Sequence, residues 1–282
     1  MIPQEYLNSL IARAFAEDLG DGDHSTLSCI DKSAQGKAHL LVKQDGIIAG
    51  VEVAKAVCKY LSNDLELEIF IKDGTPIKKG DIVFNLTGPQ HDILRAERTL
   101  LNFMQRMSGI ATTTAEYVKL VDGLNTKILD TRKTTPGLRL IEKEAVKIGG
   151  GTNHRIGLYD MIMLKDNHID FAGGIENAVN KARKYLKDNN KNLKIEVETR
   201  NLDDVREVLR IGNVDRIMLD NYDIPTTREA VKLINHRVET ESSGGITKEN
   251  LRQYAECGVD FISVGALTHQ IKSLDLSLKA VK

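Results

Sequence analysis

The chain has 282 residues, 41% of them apolar, with a net charge of −1, enough for a sizeable core in one large domain or two unequal ones. A near-neutral balance supplies no global field toward nucleic acid or an anionic membrane, so any basic site must be local. No apolar run approaches the roughly 18 residues that span a bilayer, and the segment 1–23 lacks a basic stretch followed by an apolar core, so a soluble cytoplasmic protein is expected.

Residues 4–18 carry Tyr6, Leu7, Leu10, Ile11, Ala14 and Phe15 at helical spacing and predict an amphipathic helix. Residues 37–50 read as two strands broken at Asp45-Gly46, a hairpin signal, and the pattern predicts a short helix over 51–61. Residues 65–88 give two further alternating runs around Asp73-Gly74. Their IKKGDIVF portion has the look of a lipoyl-type sandwich, but the modified-lysine hairpin is absent and a plain sheet turn accounts for it. From His91 to Leu120 the stripe Leu94, Leu100, Leu101, Met104 and Met107 predicts a long helix, punctuated by Ser108-Gly109. The cysteines Cys29, Cys58 and Cys257 lie far apart with no ligand spacing, as ordinary reduced thiols do.

After Asn125 the rhythm changes. Apolar runs at 127–131, 161–165, 194–198, 216–220, 237–245 and 261–265 alternate with amphipathic segments. Repeated βα units imply a parallel sheet. Six units in this length favour a closed or nearly closed barrel, although spacing alone leaves a doubly wound sheet open. The strands end in chemistry: Asp130 followed by Arg132 and Lys133, then Lys165, Glu198, Asp220, Ser243-Gly244-Gly245 and Gly265. In a βα barrel these ends meet at one mouth. Charge there is costly unless it is used, because the mouth is partly desolvated.

Arg132, Lys133, Arg155 and Lys165 have the chemistry to surround a polyanion, the arginines bidentately and the lysines as point charges. Glu198 and Asp220 suit a divalent metal, sugar hydroxyls or a developing cation, with structural salt bridging as the plainer reading. The late glycine ends suit a phosphate held by backbone N–H groups. His154 follows Gly149-Gly150-Gly151 and precedes Arg155, which points to a ligand contact. Lys165 has a rival role as a Schiff-base former. Neither GxxxxGK[ST] nor GxGxxG is present.

The segments DTRKTTPGLR, GGGTNHRIGLYDMIMLKDNH, IEVE, IMLDN, ESSGGIT and SVGALTH resemble the quinolinate phosphoribosyltransferase family. The likeness runs nearly end to end, including EDLGDGDHST and ERTLLNFMQRMSGIAT. Putative molybdenum-transport phosphoribosyltransferases share the DTRKT stretch, so another substrate on the same reaction class is an alternative. The segment between Glu198 and Asp220 is one residue longer than the family pattern.

The resemblance implies an N-terminal α/β sandwich over 1–112, rejoined by the tail 270–282, and an incomplete TIM-like α/β barrel over 113–269. It implies phosphoribosyl transfer from phosphoribosyl pyrophosphate to quinolinate with decarboxylation, in homodimers or in hexamers built as trimers of dimers. Arg132, His154 and Arg155, with Arg98 from the partner, would hold the quinolinate carboxylates. Lys133 and Lys165 would bind pyrophosphate, and Glu198 and Asp220 would engage ribose hydroxyls and Mg²⁺. Ser243, Gly244 and Gly265, with His269, would hold the 5-phosphate. Catalysis would rest on Lys133, Lys165, Glu198 and Asp220 without a nucleophile or general base. The rivals are a Schiff-base lyase using Lys165 and a sensor that binds the phosphometabolite without turnover.

Overall fold

The structure, a computed structural model, describes residues 2–281. In chain order its elements are α1 (Gln4–Leu19), α2 (His24–Cys29), β1 (Gln35–Val42), β2 (Gly46–Ile47), α3 (Val51–Leu61), β3 (Glu66–Ile69), β4 (Pro76–Ile77), β5 (Ile82–Pro89) and α4 (Gln90–Leu120). There follow β6 (Lys127–Leu129), α5 (Arg139–Ile148), β7 (Ile162–Leu164), α6 (Asp166–Ala172), α7 (Ile175–Asp188), β8 (Ile195–Thr199) and α8 (Leu202–Ile211). The chain finishes with β9 (Arg216–Asp220), α9 (Ile224–Ile234), β10 (Glu239–Ser243), α10 (Leu251–Ala255), β11 (Phe261–Ser263), α11 (Ala266–His269) and β12 (Leu276–Ala280). None of the described helices is long and apolar enough to cross a membrane.

Two compact units result. One comprises Met1–Ala115, Thr134–Gly150 and Leu267–Lys282; the other comprises Glu116–Lys133 and Gly151–Ala266. The stretch 134–150, expected within the barrel, groups with the first unit, as does His269.

The first unit holds an antiparallel sheet in the order β12-β1-β5-β3. Strict alternation along β1 buries Ala38, Leu40 and Val42, opposite Ala280, Leu278 and Leu276 of β12. Side chains two apart share a face, so β12 completes one apolar surface. Helix α4 ties down the tail and the loop before α3. Gln105 donates through Nε2 to Leu276 O at 2.9 Å and accepts from Leu274 N at 2.9 Å. Ser108 Oγ accepts from Ala49 N and donates to Ala49 O. Gly109 is there for close approach: a Cβ would collide with Lys272 O. Gly149 likewise lets the end of α5 close on the Ala111 carbonyl, so the triple glycine begins as a packing device.

The Asp45-Gly46 step departs from the hairpin reading, whereas the runs on either side of Asp73-Gly74 pair antiparallel as β3 and β5. β1 and β2 do not pair; β2 pairs with β4 and β1 with β5. Asp45 Oδ1 instead accepts from Lys79 N at 2.8 Å. Asp73 accepts from the N–H groups of Val51 and Glu52 at the start of α3, the closer at 2.8 Å, where a carboxylate also faces the positive end of the helix. Asp-Gly is a local signal, and here its carboxylate went to distant backbone donors.

The second unit is a six-stranded parallel sheet in the order β6-β11-β10-β9-β8-β7. Successive strands β7 to β11 add in one direction and the first strand sits beside the last, which is barrel winding; a doubly wound sheet would reverse at a switch point. Among the described residues β6 and β7 are not paired to each other, and a parallel bridge from Leu129 to Thr152 occupies the β6 edge. The barrel is therefore open at that seam. Every residue of β8 is buried, as expected for a parallel strand covered on both faces.

Gly109→Ala should destabilise the protein by about 1–3 kcal/mol, because the backbone of the tail must move. Urea unfolding of the variant beside the wild type measures this.

Candidate active site

Parallel strands place all six C-terminal ends on one side of the second unit. Alternation then decides which side chains share a face. In β8 these include Glu196 and Glu198, in β9 Arg216, Met218 and Asp220, and in β10 Glu239, Glu241 and Ser243. The register sets Glu196 opposite Arg216, Glu198 opposite Met218, and Ser243 opposite Asp220.

At the strand ends, Lys165 Nζ lies 3.3 Å from Glu198 Oε2, and Asp166 N points at Glu198 Oε1 at 3.4 Å. Lys165 precedes α6 directly, and its N–H donates to His168 Nδ1 at 3.1 Å. Asp220, on the next strand, is pushed above the usual carboxylate range by burial and then by the charge of Glu198. Two carboxylates that crowd in this way attract a hard cation. Asn221 Nδ2 donates to Asp220 Oδ2 at 2.6 Å, and Asn221 N donates to Ser243 O at 2.8 Å. Gly244 has φ +91°, and a Cβ there would overlap Asn221, so the turn after β10 admits no side chain.

Arg132 is half-buried and Lys133 exposed, just beyond β6. Arg155 is held below its ordinary pKa by burial and then by the charge of Arg132. The two arginines are thus close enough to repel, which an anion between them would relieve. Arg155 Nη1 donates to Met161 O at 3.3 Å. Gly265 follows β11 in the second unit. Arg98, on α4, and His269, at the end of α11, are exposed residues of the first unit.

The His154 ring is buried, with both nitrogens facing groups of the chain. Nε2 lies 3.1 Å from Glu196 Oε2 and 3.2 Å from Glu241 Oε2, and Nδ1 accepts from Arg155 N at 2.6 Å. The backbone of His154 donates to Asp130 Oδ1 at 2.8 Å, and Asn153 Nδ2 donates to Asp130 Oδ2 at 2.6 Å. A residue beside β6 that reaches both β8 and β10 must cross the interior of a curved sheet. Arg216 completes the group: Nη1 donates to Glu241 Oε2 at 2.8 Å, Nη2 to Glu239 Oε2 at 3.0 Å, and the guanidinium lies 4.0 Å from the centre of the Phe261 ring.

This layer was not foreseen, although IEVE and ETESS place Glu196 and Glu241 two residues, and RIMLD places Arg216 four residues, before a strand-end group. Burial and the charge of Glu241 push Glu196 up to about 7. Burial opposes protonation of His154, while the neighbouring Glu196 and Glu241 carboxylates favour it. Burial also opposes ionisation of Glu241, yet His154 and Arg216 hold it below the usual range. Glu241 and Arg216 balance each other, so Glu196 and His154 are neutral together with one extra proton. The Arg155 N–H aimed at Nδ1 places that proton on Glu196, since a doubly protonated ring has no lone pair there.

Comparison with known proteins matches the chain to two family models, quinolinate phosphoribosyl transferase, N-terminal domain, over residues 23–108, and the C-terminal domain over residues 110–279. The chain is 47% identical to nicotinate-nucleotide pyrophosphorylase [carboxylating], chloroplastic, of Arabidopsis thaliana, over 98% of this chain and 83% of that protein. It is 43% identical to the probable nicotinate-nucleotide pyrophosphorylase [carboxylating] of Bacillus subtilis, over 96% and 92%. The solved nicotinate-nucleotide pyrophosphorylase of Francisella tularensis superposes with a TM-score of 0.94 at 39% identity, covering 100% of this chain and 98% of that one.

The buried layer makes stability depend on pH. Glu196, which carries the shared proton, is raised from 4.5 to about 7. A raised group stabilises fully below its unfolded pKa, and the contribution is lost as pH rises through its folded pKa. Thermal midpoints should therefore fall as pH rises from about 4.5 to 7. Glu196→Gln, which cannot ionise, should show a flatter slope across that window.

Proposed function

The chain belongs to the quinolinate phosphoribosyl transferase family, and we propose on that premise that it makes nicotinate mononucleotide. Phosphoribosyl pyrophosphate donates its phosphoribosyl group to the ring nitrogen of quinolinate. Pyrophosphate and the 2-carboxylate, as CO₂, are released. The observation that carries the reading at residue level is the meeting of Lys165, Glu198 and Asp220 at three neighbouring strand ends.

Arg132 and Arg155 receive the ring carboxylates, for which paired guanidinium groups are the matched donors. Lys133 and Lys165 take the pyrophosphate. Ser243, Gly244 and Gly265 take the 5-phosphate through hydroxyl and backbone donors, and His269 joins this set by motif. As the bond to pyrophosphate breaks, the anomeric carbon becomes cationic, and Glu198 and Asp220 stabilise that charge electrostatically. The pyridine nitrogen attacks the opposite face. N-ribosylation leaves a cationic ring that stabilises the electron pair left at C2 as CO₂ departs, and a proton from solvent then forms the C2–H bond. No protein nucleophile is needed, and placement of the two reactants supplies much of the effect.

Mg²⁺ belongs to this proposal. Glu198 and Asp220 would hold it, and the mutual crowding of their carboxylates fits a hard divalent ion. When bound, it neutralises phosphate charge. Assembly as a homodimer, or as a hexamer of three dimers, is also proposed, with the exposed Arg98 of α4 serving the partner's site. A cytoplasmic location is proposed on the free cysteines Cys29, Cys58 and Cys257, which suit a reducing compartment. The ion pair with Glu198 uses Lys165 as a cation, which favours the transferase over the Schiff-base reading.

Mixing the protein with quinolinate, phosphoribosyl pyrophosphate and Mg²⁺ should release CO₂ and pyrophosphate in equal amounts; absence of either product overturns the reading. In the same assay Arg155→Ala should raise KM for quinolinate roughly ten- to hundredfold, the loss of one charge-assisted pair of about 1.5–3 kcal/mol. KM for phosphoribosyl pyrophosphate should change little. For the shared site, inactive Arg98→Ala and inactive Glu198→Ala proteins, unfolded and refolded together, should regain activity through heterodimers that carry one intact site. No recovery would show that Arg98 does not serve the partner.

A further inference from the structure

The buried layer below the strand ends is unexplained by the reaction. It holds Glu196 and Glu241, neither exposed to solvent, around His154 Nε2. Burying two glutamates under a binding site is costly unless they do something there. The ligand atoms of His154, Glu196 and Glu241 lie within 4.8 Å of one another, which suggests a metal. Arg216 argues against it, because its guanidinium already takes Glu241 Oε2 at 2.8 Å, and a divalent ion would share that oxygen with a cation.

The directions of the hydrogen bonds give a different role. Nε2 lies 3.1 and 3.2 Å from two carboxylates, and the donor on Nδ1 leaves the ring hydrogen on Nε2. Nδ1 then keeps its lone pair, and the Arg155 N–H donates to it at 2.6 Å. Three successive residues are fixed in this way: Asn153 by its side chain to Asp130, His154 by its N–H to Asp130, and Arg155 by its N–H to the His154 ring. The turn beyond is closed by Asp160, which accepts from Ile156 N and Gly157 N at 2.7 and 2.9 Å. The charged groups facing the ring are Glu196 from β8, Glu241 from β10 and Arg216 from β9 behind it, with Asp130 after β6 and the Arg155 that the ring supports.

We propose that Glu196 and Glu241 are positioning residues for quinolinate binding: they lock the His154 ring with Nε2 inward, and the locked ring sets the backbone of Arg155. His154 then serves as a strut between the interior acids and Arg155, with no ring nitrogen offered to the substrate. The proposal rests on the assignment of Arg155 to quinolinate.

Its test has two arms. Long-range ¹H–¹⁵N correlation spectra of the wild-type protein at pH 6.5, with His154 assigned by loss of its signals in His154→Gln, should show Nε2 protonated and Nδ1 bare. Saturating quinolinate should leave both shifts in place. A protonated Nδ1, or ring shifts that move with quinolinate, would overturn the proposal, and this arm needs no turnover. In the second arm, Glu196→Ala should raise KM for quinolinate about tenfold or more, as misplacement of a contact does, with KM for phosphoribosyl pyrophosphate within twofold. Glu196→Gln keeps an oxygen acceptor for Nε2–H and should restore the quinolinate KM to within about threefold. Equal rises in both constants, or no rescue by glutamine, would refute positioning. A zinc, manganese or magnesium ion retained stoichiometrically by Glu198→Ala after chelation, but lost in Glu241→Gln, would assign the layer to a metal instead. If the wild type shows no activity with quinolinate, the functional reading fails while the spectroscopic arm still decides the strut.

Discussion

The site rests on charge neutrality inside a closed space. Glu196, Glu241, His154 and Arg216 lie below the strand ends with little or no access to water, where an uncompensated charge would cost several kcal/mol. Their contacts permit few arrangements: a hydrogen bond from Arg216 to Glu241, Nε2 of the ring close to both glutamates, and a backbone N–H on Nδ1. A rigid floor of this kind lets the rim above be strongly charged without reorganising. Glu198 and Asp220 stand on strands that carry the floor, one or two side-chain steps higher, and Lys165 stands just beyond the neighbouring β7.

The arrangement follows from β-strand periodicity. Alternation sends every second residue of β8, β9 and β10 to the same face, and the parallel register levels them across the sheet. The rim was legible for that reason: a run of strands that each stop at Lys165, Glu198 or Asp220 is difficult to read as anything but a shared mouth. The floor was equally written, in IEVE, RIMLD and ETESS. It went unread because charged residues within a buried strand run against the expectation that charges lie outside. Only the pairing of β8, β9 and β10 shows that these charges meet.

Elsewhere the sequence was a weaker guide where contacts are distant. The helices α1, α3 and α4 follow from apolar spacing within one segment. The Asp45-Gly46 step misled because its carboxylate takes a backbone donor far along the chain, at Lys79. Strand β12 is a short alternation whose partner, β1, lies near the other end of the sequence. Helix α5, between the basic cluster and the triple glycine, went unpredicted. Its Glu142 is buried and receives Arg106 at 2.6 Å within the first unit.

The pairing of β12 with β1 bears on how the protein reaches its native state. During synthesis β1 leaves the ribosome early, with Leu40 and Val42 awaiting a neighbour that is almost the whole chain away. Until Leu276–Ala280 arrives, that sheet presents a bare edge of main-chain donors and acceptors, the kind of edge that recruits other chains. Long-range closure of this sort slows folding. A chain cut before residue 276 would keep that edge bare.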